Sequence, residues 1–208
     1  IDVTNNGGIT AISKNQVDVL VNIKPVNDAP VASGAATALP ETEDKQASGQ
    51  SVTDLFGGNF NDTVDQQQTA ANSAGSTENT HAGIAITGND TPVSEGAWKY
   101  STDGGKTWQE VGPVASDSAL VLNKNAQLRF DAAPDFNGDP KPLTVHLIDS
   151  STDVPVYGTT TGADIAKPDF VSQASVDTQT KGGITALSNN SVDLNVHVAA
   201  VNDAPKAS

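Results

Sequence analysis

Carboxylate and amide side chains surround a short motif, Val-Asn-Asp-Ala-Pro, that occurs at residues 26–30 and again at 201–205. In the first copy, Asn27 and Asp28 place side-chain oxygens directly after a stretch of alternating apolar residues. Ca²⁺ prefers such oxygens and takes roughly six to eight of them at about 2.3–2.6 Å. The motif therefore predicts either a Ca²⁺ site at a junction or, as the simpler alternative, a turn in front of a proline. Further candidate ligands in the following chain are Glu41, Glu43, Asp44, Asn61, Asp62 and Asp65.

Other reactive groups show no pattern that would support catalysis. The chain has no cysteine, so it offers neither a disulfide nor a thiolate ligand, and it lacks the Gly-x-Ser-x-Gly pattern of a nucleophile elbow. His81, His146 and His197 have no zinc-ligand spacing and are predicted to be surface residues. Residues 135–138 lack the later glutamate of an EF-hand loop and are predicted to form a turn. We therefore expect a protein that is not an enzyme.

Composition and charge narrow the possible partners. The 208 residues carry 25 Asp and Glu against 11 Lys and Arg, which gives a formal net charge of −14. This excess argues against nucleic acid and anionic membrane surfaces as direct partners. No apolar run approaches the length of a membrane span, about 20 residues. The many Thr, Ser, Asn, Gly and Val residues favour short strands joined by polar turns.

An internal repeat defines the expected domain organisation. Residues 7–33 and 182–208 align without a gap, and 17 of the 27 paired positions are identical. Their offset, 182 − 7 = 175 residues, is too long for a solenoid unit and fits a string of domains that each bury their own core. We expect residues 1–28 to end one repeat, residues 29–203 to form a complete second repeat and residues 204–208 to begin a third. Adjacent repeats of the same chain would then be the partners.

Apolar and polar residues alternate along several stretches, as they do in half-buried strands. The alternation is clear at residues 17–23, at their copies 192–198 and at 143–147. No convincing helical period is present. The fold class is therefore predicted to be all-β, an antiparallel β-sandwich, with residues 57–82 and 150–169 as long surface excursions.

Two further segments predict hairpins. Residues 98–108 place Asp-Gly-Gly between aromatic runs, which is a tight-turn signal, and residues 120–130 show apolar alternation on both sides of an Asn-Lys-Asn turn. The aromatic residues Trp98, Tyr100 and Trp108 are predicted to be core or cross-strand partners. The alternative is that they form a platform of a glycan- or peptide-binding module.

Several longer segments, taken together, are typical of one family. They are Pro-Glu-Thr-Glu-Asp at 40–44, Asn-Phe-Asn-Asp-Thr-Val-Asp at 59–65, the aromatic segment 98–108, Leu-Arg-Phe-Asp-Ala-Ala-Pro-Asp-Phe-Asn-Gly at 128–138 and Leu-Thr-Val-His-Leu-Ile-Asp at 143–149. With the linker they resemble the extender repeats of giant RTX-type bacterial adhesins. Such proteins are exported by type I secretion, and their extender regions consist of cadherin-like or Ig-like β-sandwiches.

The resemblance implies a function and a location. The chain would be a spacer at the bacterial cell surface, extracellular, that projects a distal ligand-binding domain and takes part in cell adhesion and biofilm formation. Ca²⁺ in the linkers would keep the array rigid. The ligand of the parent adhesin is not specified by the sequence.

Cadherin linkers, which the Val-Asn-Asp-Ala-Pro motif resembles in part, imply how the candidate ligands pair. By that analogy Asp28 shares an ion with Asp62 and Asp65. Glu41 and Asp149 would face the next linker. The implied metal ligands are Asn27, Asp28, Glu41, Glu43, Asp62, Asp65, Asp149, Asn202 and Asp203.

The duplication also makes residues 7–24 and 182–199 compete for one strand position. We predict that residues 182–199 fill it, because they are nearer in sequence to the strand at 142–149. Residues 1–25 would then lack their parent sheet and would pack on the surface or pair with another molecule, as an unpaired edge invites.

Overall fold

The computed structural model describes residues 3–21, 23–152, 155–157, 160–167, 169–170 and 172–202. The strands are, in chain order, β1 (Val31–Ala32), β2 (Ala36–Thr37), β3 (Glu41–Thr42), β4 (Gln50–Ser51), β5 (Phe60–Asn61), β6 (His81–Asn89), β7 (Gly96–Ser101), β8 (Gln109–Glu110), β9 (Ala119–Asn123), β10 (Gln127–Ala132), β11 (Leu143–Asp149), β12 (Pro155–Tyr157), β13 (Thr160–Thr161), β14 (Ser172–Val176), β15 (Leu187–Asn195) and β16 (Val198–Ala199). The described residues also form two short helices, α1 (Val52–Phe56) and α2 (Gly162–Ile165), and two 3-10 turns, Gly57–Asn59 and Thr63–Asp65. None of the described helices is long and apolar enough to cross a membrane.

Two main sheets face each other. The larger has six strands in the order β14-β9-β6-β11-β15-β2, and the smaller has four in the order β4-β10-β7-β8. Their pairings are antiparallel, apart from β15 and β2, which run parallel. A second parallel pair, β16 with β3, lies beside the sheets. The all-β prediction is thus confirmed.

The core lies between the two sheets. Alternate side chains of β6, β9, β11 and β15 meet those of β7 and β10, and the shared cluster includes Ile84, Leu122, Leu147, Leu194, Trp98 and Phe130. Trp98 and Tyr100 are only 1% and 8% exposed, and the Trp98 ring meets the edge of Phe130 at a centroid distance of 5.2 Å. The prediction that these two aromatic residues belong to the core is confirmed.

A second apolar cluster covers the outer face of the six-stranded sheet. Ala85, Val121 and Ile148 point outward from it and pack against Ile165 of α2 and Val176. The segment after β11 therefore packs on the outer face of the sheet through Ile165 and does not form an unattached surface loop.

One histidine prediction is wrong, because His146 packs against β15. His146 alternates with the core residues of β11 and is 6% exposed, with Nδ1 2.9 Å from the Ser188 carbonyl oxygen. Burial also lowers its pKa. His81 is half-buried, whereas His197 is exposed and pairs with Asp139 at 2.7 Å, as predicted for a surface histidine.

One predicted hairpin is confirmed and the other is wrong. β7 and β8 pair across the Gly104-Gly105 turn, where both glycines have positive φ. In contrast, β9 joins the six-stranded sheet and β10 the four-stranded one. The Asn123 side chain donates to the carbonyl oxygens of Ile165 and Lys167 at 2.7 and 2.9 Å, so it anchors the end of β9 to the outer cover and the chain then crosses between the sheets.

The two copies of the repeated segment are placed differently. In the second copy, β15 pairs with β11 and buries Val192 and Leu194 completely. In the first copy, described residues 3–21 and 23–30 contain no strand, and Val17 and Val19 are 87% and 84% exposed. The prediction that residues 182–199 fill the shared strand position is confirmed.

Both copies nevertheless form the same turn. Gly182 N–H donates to the Leu187 carbonyl oxygen at 2.8 Å, and Gly7 N–H donates to the Ile12 carbonyl oxygen at 2.8 Å. Gly7 and Gly182 have φ values of 75° and 71°. Because only the second copy lies in a sheet, this turn is encoded by its own residues.

Candidate functional site

The first linker docks on the domain that follows it. Ala29 N–H donates to the Gly183 carbonyl oxygen at 2.7 Å, and Asn27 Nδ2 donates to the Thr185 carbonyl oxygen at 3.2 Å. Asp28 N–H donates to Asp65 Oδ1 at 3.1 Å. The linker is therefore held by the locally encoded turn before β15 and by the loop after β5.

Three buried carboxylates lie under this linker, and we call them the polar cluster: Asp62, Asp65 and Asp149. They are 3%, 2% and 0% exposed. Asp62 immediately precedes the 3-10 turn Thr63–Asp65, Asp65 is its last residue, and Asp149 ends β11. Asn27 Nδ2 reaches Asp149 Oδ2 at 3.5 Å, so the linker touches two of the three carboxylates. Of the expected group, Asp28 contacts Asp65 through its backbone N–H, and the sharing of an ion with Asp62 and Asp65 stays a prediction.

Asn79, which the sequence does not predict as a site residue, contacts both the linker and the polar cluster. Its backbone N–H donates to Asp62 Oδ2 at 2.7 Å, and its Nδ2 donates to Asp65 Oδ2 at 3.1 Å and to Asn27 Oδ1 at 2.9 Å. The polar stretch before β6 contains several similar amides. Its only local signal is its position two residues before a strand.

Burial disfavours the charged form of all three carboxylates. It raises the pKa of Asp62 to about 6, with the charges of Asp149 and Asp65 adding to the effect and the Asn79 hydrogen bonds opposing it. Burial likewise raises the pKa values of Asp65 and Asp149. A cation among these carboxylates would offset their mutual repulsion.

The donor set fits a hard cation. It consists of oxygen ligands without sulfur, which suits Ca²⁺. Asp62 Oδ1 and Ser151 Oγ are buried and have no hydrogen-bond partner within the described structure, and a cavity of about 130 Å³ is lined by Asn27, Asp65, Asn79 and Ser151. Across the described ranges, no three acidic or histidine side chains are placed so that they could hold a metal ion as they stand. The present partners of these carboxylates are mostly amide groups.

The second linker meets a different group of residues. Glu43 is 2% exposed, accepts from the Val201 N–H and also accepts from Asn137 Nδ2 at 2.9 Å. Asn202 is exposed, and Asp203 lies outside the described residues. Glu43 is thus the glutamate that faces this linker.

Two expectations about the second linker are therefore corrected. Asp149 lies with the first linker, because β11 ends at the pole where that linker docks. The Glu41 carboxylate points to β10, where Oε1 accepts from the Phe130 N–H at 3.4 Å, whereas Glu43 lies in the turn after β3. Burial raises the pKa of Glu41 to about 7.

The other candidates have local structural roles. Asn61 Oδ1 caps the 3-10 turn by accepting from Thr63 N–H at 3.1 Å, and Asp44 is an exposed turn residue. Trp108 is half-buried with Arg129 over its ring at 4.1 Å. With Trp98 and Tyr100 in the core, the three aromatics do not form a shared exposed platform.

Comparisons with protein-family models, with curated proteins and with solved structures found no match. Functional inference for this chain therefore rests on the duplicated segment and on the contacts of the linker.

Proposed function

We propose that this chain is a structural extender repeat of a bacterial surface adhesin, with a cadherin-like or Ig-like sandwich as its unit. Ca²⁺ bound at the polar cluster fixes each linker to the repeat that follows it. The array then projects a distal ligand-binding domain from the cell, outside the membrane, in adhesion and biofilm formation. This role requires neither catalysis nor contact with nucleic acid.

The docking of the first linker is the observation that carries the proposal. Asn27 and Asp28 belong to the segment that recurs 175 residues later, and they contact carboxylates of the intervening domain. In a tandem array the same contact would recur at every junction. A junction made of buried carboxylates under a proline-containing linker is suited to a stiff, cation-dependent connection.

Calcium binding to the chain itself tests the cation. We expect Ca²⁺ to bind and to raise the free energy of unfolding by about 2.7 kcal/mol at a concentration 100 times the dissociation constant. Asp62→Asn should abolish most of this stabilisation, because it removes the buried oxygen that has no other partner. Calorimetric titration and thermal unfolding would measure both effects.

Asp90→Asn is the matched control, since Asp90 is an exposed aspartate outside the polar cluster. It should retain the binding and the stabilisation of the parent chain. Equal responses of the two variants to Ca²⁺, or no response of the parent chain, would contradict a cation at the polar cluster.

A further inference from the structure

Short strands near the beginning and at the end of the repeat run side by side in the same direction. β2 is parallel to β15, with Ala36 opposite Leu194, and β3 is parallel to β16, with Glu41 opposite Val198. The chain enters the repeat beside Gly183 and leaves it beside Glu43. The chain therefore enters ahead of the β2–β15 pair and leaves after the β3–β16 pair, and we call these two consecutive parallel pairs the parallel ladder.

Backbone hydrogen bonds connect the two segments along this ladder. The N–H groups of the first segment donate to carbonyl oxygens of the last in three places: Ala38 to Asn195 at 2.8 Å, Glu41 to His197 at 2.8 Å and Glu43 to Ala199 at 3.0 Å. Such bonds lie across the strand direction. Tension along the strands therefore loads all of them together, whereas tension across one end loads them one at a time.

Buried groups reinforce the end where the chain leaves. Val196 and Val198 are 3% and 1% exposed, and Val198 exchanges both backbone hydrogen bonds with Gly138 at 2.9 Å. β16 is thus held on both sides. The buried Glu43 carboxylate adds a charge-assisted bond to the Val201 N–H, which is stronger than a neutral one.

We propose that this parallel ladder is a force-bearing clamp that keeps the repeat folded when the chain is pulled through its two linkers. The role rests on the proposed array, because only a link in a chain carries tension between its ends. It adds mechanical resistance to the spacing function. The clamp uses the strands and Glu43 and does not involve the polar cluster.

Pulling one molecule in two directions tests the clamp. Because the chain has no cysteine, a single Lys45→Cys handle can be placed at the exposed turn after β3. Pulling between the two chain termini shears the ladder. Pulling between residue 45 and the C-terminus applies force at one end of the β3–β16 pair and unzips it. We expect the unfolding force to be clearly higher in shear, and equal or lower forces in shear would overturn the proposal.

A matched pair of variants tests the contribution of Glu43. Glu43→Gln should raise the unfolding rate in shear about tenfold, because an amide cannot accept from both Val201 and Asn137 as the carboxylate does. Asp44→Asn changes the neighbouring, exposed carboxylate in the same way and should leave the rate unchanged. Equal rates for both variants would contradict the role of Glu43.

All of these pulling experiments use a single repeat with a calcium chelator present. A failure of calcium to stiffen an array would therefore leave their outcome unaffected. Conversely, equal unfolding forces in the two directions would contradict the clamp and would not bear on the calcium-dependent spacer role.

Discussion

Single residues at the first linker connect parts of the chain that are far apart in sequence. Asn79 contacts Asn27, Asp62 and Asp65 through two nitrogens. Its amide supplies donors to carboxylates whose burial would otherwise be costly. The hydrogen bonds from Asn79 therefore help to hold the residues of the candidate cation site together.

Glu41 gives a prediction about pH. Because the folded protein keeps the Glu41 proton up to about pH 7 while the unfolded chain loses it near 4.5, this residue lowers stability as the pH rises between these values. The free energy of unfolding of the parent chain should therefore fall relative to that of Glu41→Gln as the pH rises from 4.5 to 7. Denaturant unfolding in chelator would measure it.

The neighbouring charges act in opposite directions on Glu41, since Asp131 raises its pKa and Arg129 lowers it. Asp90→Asn serves as the control, because Asp90 is exposed. A free-energy difference for Glu41→Gln that stays constant over this pH range would contradict a carboxyl that is protonated in the folded protein.

At the scale of elements, the same valine occurs in both copies of the repeated strand. Val192 is fully buried in β15, whereas Val17 is 87% exposed. Val192→Ala should lower the free energy of unfolding by about 2 kcal/mol, the value of two buried methylene equivalents with their cavity. Val17→Ala should change it by less than about 0.5 kcal/mol. Equal effects would show that the first copy is also packed.

The turn before each copy offers a second matched pair. A Cβ at Gly182 would lie 2.9 Å from the Asn189 Cβ, and φ at Gly182 is +71°. Gly182→Ala should therefore cost more than about 1 kcal/mol, because a left-handed backbone is strained for alanine. Gly7→Ala strains an equivalent turn outside the sheets and should leave global stability nearly unchanged. Thermal unfolding of both variants decides the comparison, and a similar loss for both would contradict this placement.

Much of the element pattern follows from sequence alone, because alternation at 143–147 and 192–198 reflects burial on one face. The same reasoning fails at 120–130. Two alternating runs around a turn have the same sequence pattern whether the two strands pair with each other or lie in different sheets. Here the strands lie in different sheets, and Asn123 holds the end of β9 through long-range hydrogen bonds to Ile165 and Lys167. Burial of His146 likewise depends on its contact with Ser188 of β15, which is distant in sequence.

The candidate site was only partly predictable for a related reason. Asp28, Asp62 and Asp65 follow from the acidic motifs around the linker. The place of Asp149 depends on which end of β11 meets which linker, and this is a property of the topology. Asn79 has no motif of its own and is identified by its contacts.

At the scale of the whole molecule, the chain enters at one pole and leaves at the other. The first linker docks on the polar cluster beside the start of β15, and the second leaves beside Glu43 at the far end of the parallel ladder. Repeats joined in this way would follow one another along a line. A cation at the polar cluster would then set the angle between neighbours.

Small-angle X-ray scattering of two repeats joined through the natural linker tests this account most directly. With Ca²⁺, we predict a profile that fits one extended, rigid shape with a maximum dimension close to the summed lengths of the two repeats. With chelator, the average dimension should decrease as the junction bends. Identical profiles in the two conditions would contradict a junction that Ca²⁺ holds straight.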